Sequence, residues 1–239
     1  MDFLDLEKNT DAFNHFWYRA RRKLIDNIFR RYNLDGNLIL EVGCGAGSQL
    51  EELSKYGRVV GCDINHQALA AAEKRGFYVF YQDIGQEIKV DCQYDVVCAF
   101  DVLEHIKDDR QALANIYKLL KPGGLFIFTV PAFPALFSAH DIYLQHQRRY
   151  SRRGLKRLLA AGGLKVYSLY YWNFILFPFL AGRRLITRKS LPKSDAKRLP
   201  QPLNLFLYRL LICENKLIGW RVKFPFGLSL VGVAKKAAV

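Results

Sequence analysis

Cysteine is sparse and unpatterned in this 239-residue chain. Cys44, Cys62, Cys92, Cys98 and Cys213 show neither metal-ligand spacing nor an even count, so reduced thiols in a cytosolic compartment are expected. The opening Met1-Asp2-Phe3-Leu4-Asp5 lacks the basic region of a signal peptide. An aromatic-rich run, Val166 to Ala181, is interrupted by Asn173 and Pro178. It falls short of the ~20 apolar residues that a spanning helix needs. No internal repeat is evident. Acids nearly vanish from the late part of the chain. Residues 148–239 hold 20 Lys+Arg and 2 acids, a net of +18, whereas residues 1–147 carry −4. This asymmetry suits a nucleic-acid or membrane partner, or else it is a solvated basic face.

What is present begins with hydrophobic content. At 51% hydrophobic, the chain can bury a sizeable core, and its length suggests one domain with a decoration. Its central stretch is Leu38-Ile39-Leu40-Glu41-Val42-Gly43-Cys44-Gly45-Ala46-Gly47. An apolar strand runs into alternating glycines. Ser48 and Glu51 then stand at capping-box spacing, as at a helix start. Glycine lets backbone approach a ligand closely, and a helix N-terminus offers free N–H groups. The dinucleotide fingerprint wants a third glycine at position 48, which is Ser48. A second apolar strand, Arg58 to Cys62, ends in Asp63, 20 residues after Gly43. A carboxylate there can hold ribose hydroxyls.

Strand and helix signals alternate through the middle of the chain. Strands are expected at 38–42, 58–62, 77–81, 94–100 and 125–130, with helices near 48–56, 66–75 and 108–120. Such alternation implies a parallel sheet covered on both faces. Before it, residues 11–32 read as an amphipathic helix with Phe13, Phe16, Leu24, Ile28 and Phe29 at helical spacing. Its basic residues, Arg21 among them, mostly face elsewhere. After it come a helix near 151–161 and late strands at 164–173 and 227–235. About fifty residues separate those strands, too many for a hairpin loop, so 174–224 reads as an insertion. Within it, Leu203 to Trp220 is amphipathic, and the Pro-bearing basic stretch before it reads as a loop.

The acid-x-Gly-x-Gly-x-Gly spacing of Glu41 to Gly47 resembles motif I of class I S-adenosylmethionine (SAM)-dependent methyltransferases. Tyr94-Asp95-Val96-Val97-Cys98-Ala99-Phe100-Asp101-Val102-Leu103-Glu104-His105 resembles the family's fourth-strand motif. Leu119-Leu120-Lys121-Pro122-Gly123-Gly124 resembles its entry to strand five. The resemblance covers roughly 36–170 and is closest to the quinone-biosynthesis and other small-molecule O- and C-methyltransferases of the type 11/12 kind.

The resemblance implies a Rossmann-like seven-stranded α/β sheet, mostly parallel with the last strand antiparallel, helices on both faces and the insertion between the last two strands. It implies a helical cover at 1–35, a SAM-binding core at 36–173, the basic and aromatic insertion at 174–224 and a final strand and tail at 225–239. It implies SAM as cofactor. Gly43, Gly45 and Gly47 then receive its methionine end, and Glu41 supports the turn or reaches the amino group through water. Asp63 takes the ribose, with Ile64 beside the adenine. Asp83 accepts from the adenine amino group, with Ile84 nearby, although Asp83 suits a plain turn about as well. Asp101 lies on the sulfonium side. His105 reads more readily as a capping or packing residue than as a catalytic one.

Methyl transfer to a hydroxyl benefits from a general base, usually His. The loop after strand five, Ser138 to Tyr150, offers His140, Asp141 and His146 as proton-handling or acceptor-binding candidates, together with Arg149 and Tyr150. The alternative is a structured loop in which Arg149 and Tyr150 brace the next helix.

Three functions follow as expectations. One is a cytoplasmic methyltransferase for a small-molecule or lipid-like acceptor, docked on the inner face of an anionic membrane through its aromatic and basic late segment. A second is an RNA methyltransferase: there is no Asn-Pro-Pro-Tyr and no Pro-Cys, but ribose or ring-nitrogen methylation needs neither. A third is a non-catalytic SAM-fold module, disfavoured because the acid, glycine and aspartate positions are all filled. No metal site is expected.

Overall fold

A computed structural model describes residues 14–186 and 199–238. Phe13 and the basic stretch with Arg188, Lys189, Lys193, Lys197 and Arg198 lie outside the described residues.

The helix expected over 11–32 is α1, Phe16–Arg31, capped by His15. Strand β1, Asn37–Val42, leads into the glycine turn and a four-residue helix α2, Leu50–Leu53. The capping box expected there does not form. Gln49 occupies the cap position without a side-chain bond. The Glu51 carboxylate instead pairs with Arg75 at 2.7 Å. The helix starts one residue later than the spacing implies, so Ser48 is not at the cap and Glu51 is not three residues beyond it.

Strand β2 (Gly57–Asp63), helix α3 (His66–Lys74) and strand β3 (Val79–Tyr81) follow. Then come β4 (Tyr94–Phe100), α4 (Asp109–Leu119) and β5 (Leu120–Pro131). Strand β5 begins before the Lys121-Pro122-Gly123-Gly124 turn expected to precede it. That turn is a bulge, because the β4 partner shifts from Leu120 at Tyr94 to Leu125 at Val96. The later elements are α5 (Ala139–Tyr143), α6 (Arg152–Ala161), β6 (Leu164–Trp172), α7 (Phe177–Ile186), α8 (Gln201–Gly219) and β7 (Ser229–Lys236).

The seven strands form one sheet in the order β3-β2-β1-β4-β5-β7-β6. Only β7 runs antiparallel, pairing that way with both β5 and β6. The expected fold class is the one observed. The chain leaves β1 for β2 and β3 on one side and returns to pair β4 on the other. That reversal opens a crevice at the carboxyl ends of the central strands.

Side chains alternate across the sheet, as the period of two requires. Phe126, Phe128 and Val130 of β5 join one core, with Leu113 and Leu155. Ile127 joins the other, with Leu24, Ile25 and Phe29 of α1. Trp172 also belongs to that second core, where α8 packs on α1. The amphipathic candidate in the insertion is thus helix α8. Its residues Leu211, Glu214, Asn215 and Ile218 are buried.

Candidate active site

Three carboxylates stand at neighbouring strand ends on one edge of the sheet. Glu41 is next to last in β1, Asp63 ends β2, and Asp101 follows β4. Parallel register places them together, with Val42 opposite both Cys62 and Ala99.

The glycine turn wraps over this edge. The Gly43 N–H donates to Cys62 O at 2.7 Å, and the Gly45 N–H donates to Asp63 Oδ2 at 2.8 Å. Asp63 Oδ1 accepts from the Asn65 N–H at 2.9 Å. One carboxylate therefore ties the cradle to the start of α3. Gly43 (φ +70°) and Gly45 (φ +53°) both lie in the left-handed region. Their demands differ. A Cβ on Gly43 would lie 2.5 Å from Val102 Cγ2, whereas a Cβ on Gly45 would meet nothing within 4 Å. Gly43 makes room for the β4 loop, and Gly45 faces open space. Gly47 sits against Phe77 and Ala72.

Glu41 is buried, and its Oε2 has no hydrogen-bond partner. Burial pushes its pKa well above the usual carboxylate range, Arg21 opposes that and Asp63 adds to it.

Ile64 is exposed and Ile84 is buried in the main core. Asp83 Oδ1 accepts from the Gly85 N–H at 2.8 Å, forming a turn, and Asn115 donates to Ile84 O at 2.8 Å. Ile84 holds the loop down, while Asp83 and Ile64 lie nearer the surface.

Asp101 takes φ +57° and pairs with Arg21 at 2.6 Å. Arg21 points inward, contrary to the outward face expected of it, and stacks over Trp17 at 4.8 Å. Helix α1 thereby lies against the carboxyl end of β4. The signal was weak because Arg21 is one of six basic residues on that helix.

The loop after β5 is built around a buried carboxylate. Asp141 accepts from the Ser138 N–H and hydroxyl in a capping box that starts α5. It also meets Arg149 Nη2 at 2.7 Å and His146 Nδ1 at 3.0 Å. Burial works against its charge, but His146 and Arg149 outweigh it and pull its pKa down to about 2. Asp141 thus orients His146 rather than facing the crevice. His140 precedes it on α5 and is half-buried. Arg149 and Tyr150 tie the loop to β5, the turn after β4 and the start of α4 rather than to the helix that follows them. Arg149 donates to Ala132 O, and the Tyr150 hydroxyl meets Leu103 O and Asp109 Oδ2.

A depressed folded pKa contributes stability above the unfolded value of 3.8 that is lost as pH falls towards 2. From pH 5 to pH 2, Asp141 should account for a loss of about 2 kcal/mol. Urea unfolding of the wild type and Asp141→Asn at both pH values checks this. Equal slopes in the two proteins would remove Asp141 from the account.

Residues 13–169 match a family model described as a methyltransferase domain. The chain belongs to the methyltransferase-domain family. A probable S-adenosylmethionine-dependent methyltransferase of Mycolicibacterium smegmatis is 26% identical over 160 residues, 65% of this chain and 62% of that protein. A ubiquinone biosynthesis O-methyltransferase of Coxiella burnetii is 30% identical over 145 residues, 54% of this chain and 62% of that protein. The chain thus spans about three fifths of the length of these curated relatives. A Thermotoga maritima structure described as a SAM-dependent methyltransferase, possible histamine N-methyltransferase, superposes with a TM-score of 0.63 at 14% identity. It covers 98% of this chain and 96% of its own, and carries the likeness of fold alone. The family match ends at Leu169, so β7 and the helices before it lie outside the matched region.

Proposed function

We propose that this family member is a SAM-dependent methyltransferase acting on a small, apolar acceptor. The observation that carries the reading is the convergence of the glycine turn, Asp63 and Asp101 on one sheet edge. These residues fit the cofactor. Gly45 leaves open the volume that a side chain would fill, and Glu41 keeps an orphaned buried oxygen at the same edge. Bound there, SAM supplies an activated methyl group. Gly43, Gly45 and Gly47 would cradle it, Asp63 would hold ribose, and Asp83 with Ile64 and Ile84 would border the adenine. The chain's own work is then to orient the acceptor and exclude water. His140 and His146 are the candidates for handling a proton or binding the acceptor, with Asp141 orienting the latter.

An aromatic cluster supports the apolar acceptor. Phe133, just after β5, stacks on Tyr171 at 5.3 Å and leans on Phe177 at 5.3 Å. Phe226 joins Phe177 at 4.8 Å. These residues stand beyond the same edge, since Pro131 of β5 and Trp172 of β6 both pair Ser229.

SAM binding is tested first by calorimetry. Asp63→Ala loses charge-assisted bonds worth about 1.5–3 kcal/mol each, roughly 10- to 150-fold in affinity per bond. Wild-type affinity in the variant would sink the cofactor assignment. Incubation with labelled SAM and lipid, quinone and RNA fractions then identifies the acceptor class. Label in RNA would favour the nucleic-acid reading raised by the basic late residues, and binding without transfer would favour a non-catalytic module.

The acceptor is further proposed to be met at a membrane surface. No described helix is long and apolar enough to cross one. Helices α7 and α8 and the turn after them instead expose Phe179, Ile186, Phe206 and Trp220, beside Arg183, Arg209, Arg221 and Lys223. Aromatic and aliphatic groups beside cations suit the headgroup boundary, each cation adding ~1 kcal/mol near an anionic surface. Anionic liposomes should co-sediment the protein, neutral ones less, and salt should release it. Indifference to both would assign these residues to a dimer face.

A further inference from the structure

The β4 loop holds a buried carboxylate that the proposed reaction leaves unexplained. A 3-10 turn, Leu103–His105, follows Asp101 and drives Glu104 inward. Glu104 is fully buried, and neither carboxylate oxygen has a hydrogen-bond partner among the described residues. A lone buried carboxylate is costly, and proteins resolve that cost by protonation or by a cation.

The neighbours are metal-ligand types. His146 Nε2 lies 4.0 Å from Glu104 Oε1. The His105 ring stands edge-on to the His146 ring with centroids 4.7 Å apart. One donor atom from each of the three residues lies within 4.8 Å of the other two. The loops that carry them are tied together, since the Gln147 N–H donates to Glu104 O at 2.7 Å.

The outer shell is also in place. Asp141 Oδ1 takes the Nδ1 side of His146, leaving Nε2 on the side of Glu104. Asp141 is held in turn by Ser138 and Arg149. A carboxylate behind a histidine is the usual support of a metal-bound imidazole, fixing its tautomer and ring orientation.

We propose that Glu104, His105 and His146 form a site for a divalent cation of the zinc type. Two imidazole nitrogens and one carboxylate oxygen are a zinc donor set with a fourth position left for water or another ligand. Zinc–ligand bonds of about 2.0–2.2 Å draw the three donors closer than they stand, by about an ångström, which rotation of the three side chains supplies. The ion would neutralise Glu104 and use both imidazoles. That it would also face the acceptor, three residues beyond Asp101, rests on the methyltransferase reading. Ion binding itself does not, and is measured without SAM or acceptor.

The test is equilibrium dialysis of the chelator-treated protein against Zn2+, with Co2+ as the spectroscopic probe. One ion per chain is expected, with a visible Co2+ band of four-coordinate type and a rise in Tm. Glu104→Gln keeps shape and removes the charge, and should weaken binding by more than 100-fold while the chain stays folded. Asp141→Asn touches no proposed ligand but His146, though it also loosens the Ser138 and Arg149 contacts, and should weaken binding by about 10- to 100-fold. His105→Ala is the second ligand variant, should Glu104→Gln fail to express. Absence of stoichiometric binding in the wild type would overturn the proposal. So would wild-type affinity in Glu104→Gln, which would place the ion on other groups such as the exposed Cys92 and Cys213. A Glu104→Gln protein that gains Tm, beside a wild type indifferent to metal, would show Glu104 to be a buried neutral acid.

Discussion

Replacement of Gly45 by valine is expected to abolish SAM binding and leave a folded protein. An added Cβ meets no protein atom within 4 Å, so the side chain would stand in the open space beside the turn that the proposed cofactor would fill. The cost to the fold is the φ of +53°, about 1–3 kcal/mol for a branched residue in the left-handed region. Gly43→Val is the contrasting variant. Its Cβ would press on Val102 Cγ2 at 2.5 Å, so it should displace the β4 loop and lower Tm further. Calorimetry with SAM, beside thermal unfolding, separates the two effects. Binding at wild-type affinity by Gly45→Val would mean that the cofactor does not lie over this turn.

The largest loss of stability should come from Trp172→Ala. The side chain is fully buried at the end of β6, 5.6 Å from Trp17 of α1. Its Nε1 donates to Asn215 Oδ1 at 2.9 Å, and Asn215 Nδ2 donates to Ala20 O at 2.9 Å. One indole thus joins the sheet to α8 and, through Asn215, to α1. Truncation of a buried aromatic costs about 3–5 kcal/mol, and the orphaned Asn215 oxygen adds about 1–3. Trp172→Phe keeps most of the packing and should lose only the smaller part. The midpoint of urea unfolding reads both. A loss under about 1 kcal/mol in Trp172→Ala would show that α8 contributes little to the core.

Neighbouring residues carried much of the site. The glycine turn and Asp63 are each recognisable within a few positions, because a strand end and a tight turn are local events. Helices α4 and α6 fall close to the expected 108–120 and 151–161, and in the structure Asp108 and Ser151 cap them. The Ser48 and Glu51 pair misled because spacing does not fix where the helix starts, and here Gln49 takes the cap position instead. Arg21 misled because its partner, Asp101, is 80 positions away. Glu104 reads in sequence as any acid after a strand. Its isolation depends on the loop of 138–147 closing over it, and on the Arg149–Asp141 pair that holds that loop.

Periodicity and spacing alone determined that this chain folds as an α/β sheet with a glycine turn at the end of its first strand. They also determined that the late segment is basic, aromatic and too interrupted to span a membrane. Only the tertiary structure decided that α1 closes against the β4 end through Arg21. It alone decided that α8 joins the second core through Asn215, and that two histidines and an unpartnered carboxylate converge. The reason is physical: hydrogen-bonded turns and amphipathic faces are set by residues within one or two turns of each other. Ion pairs and buried clusters arise from contacts across the sheet, and their energies depend on a desolvation that no short stretch of sequence records.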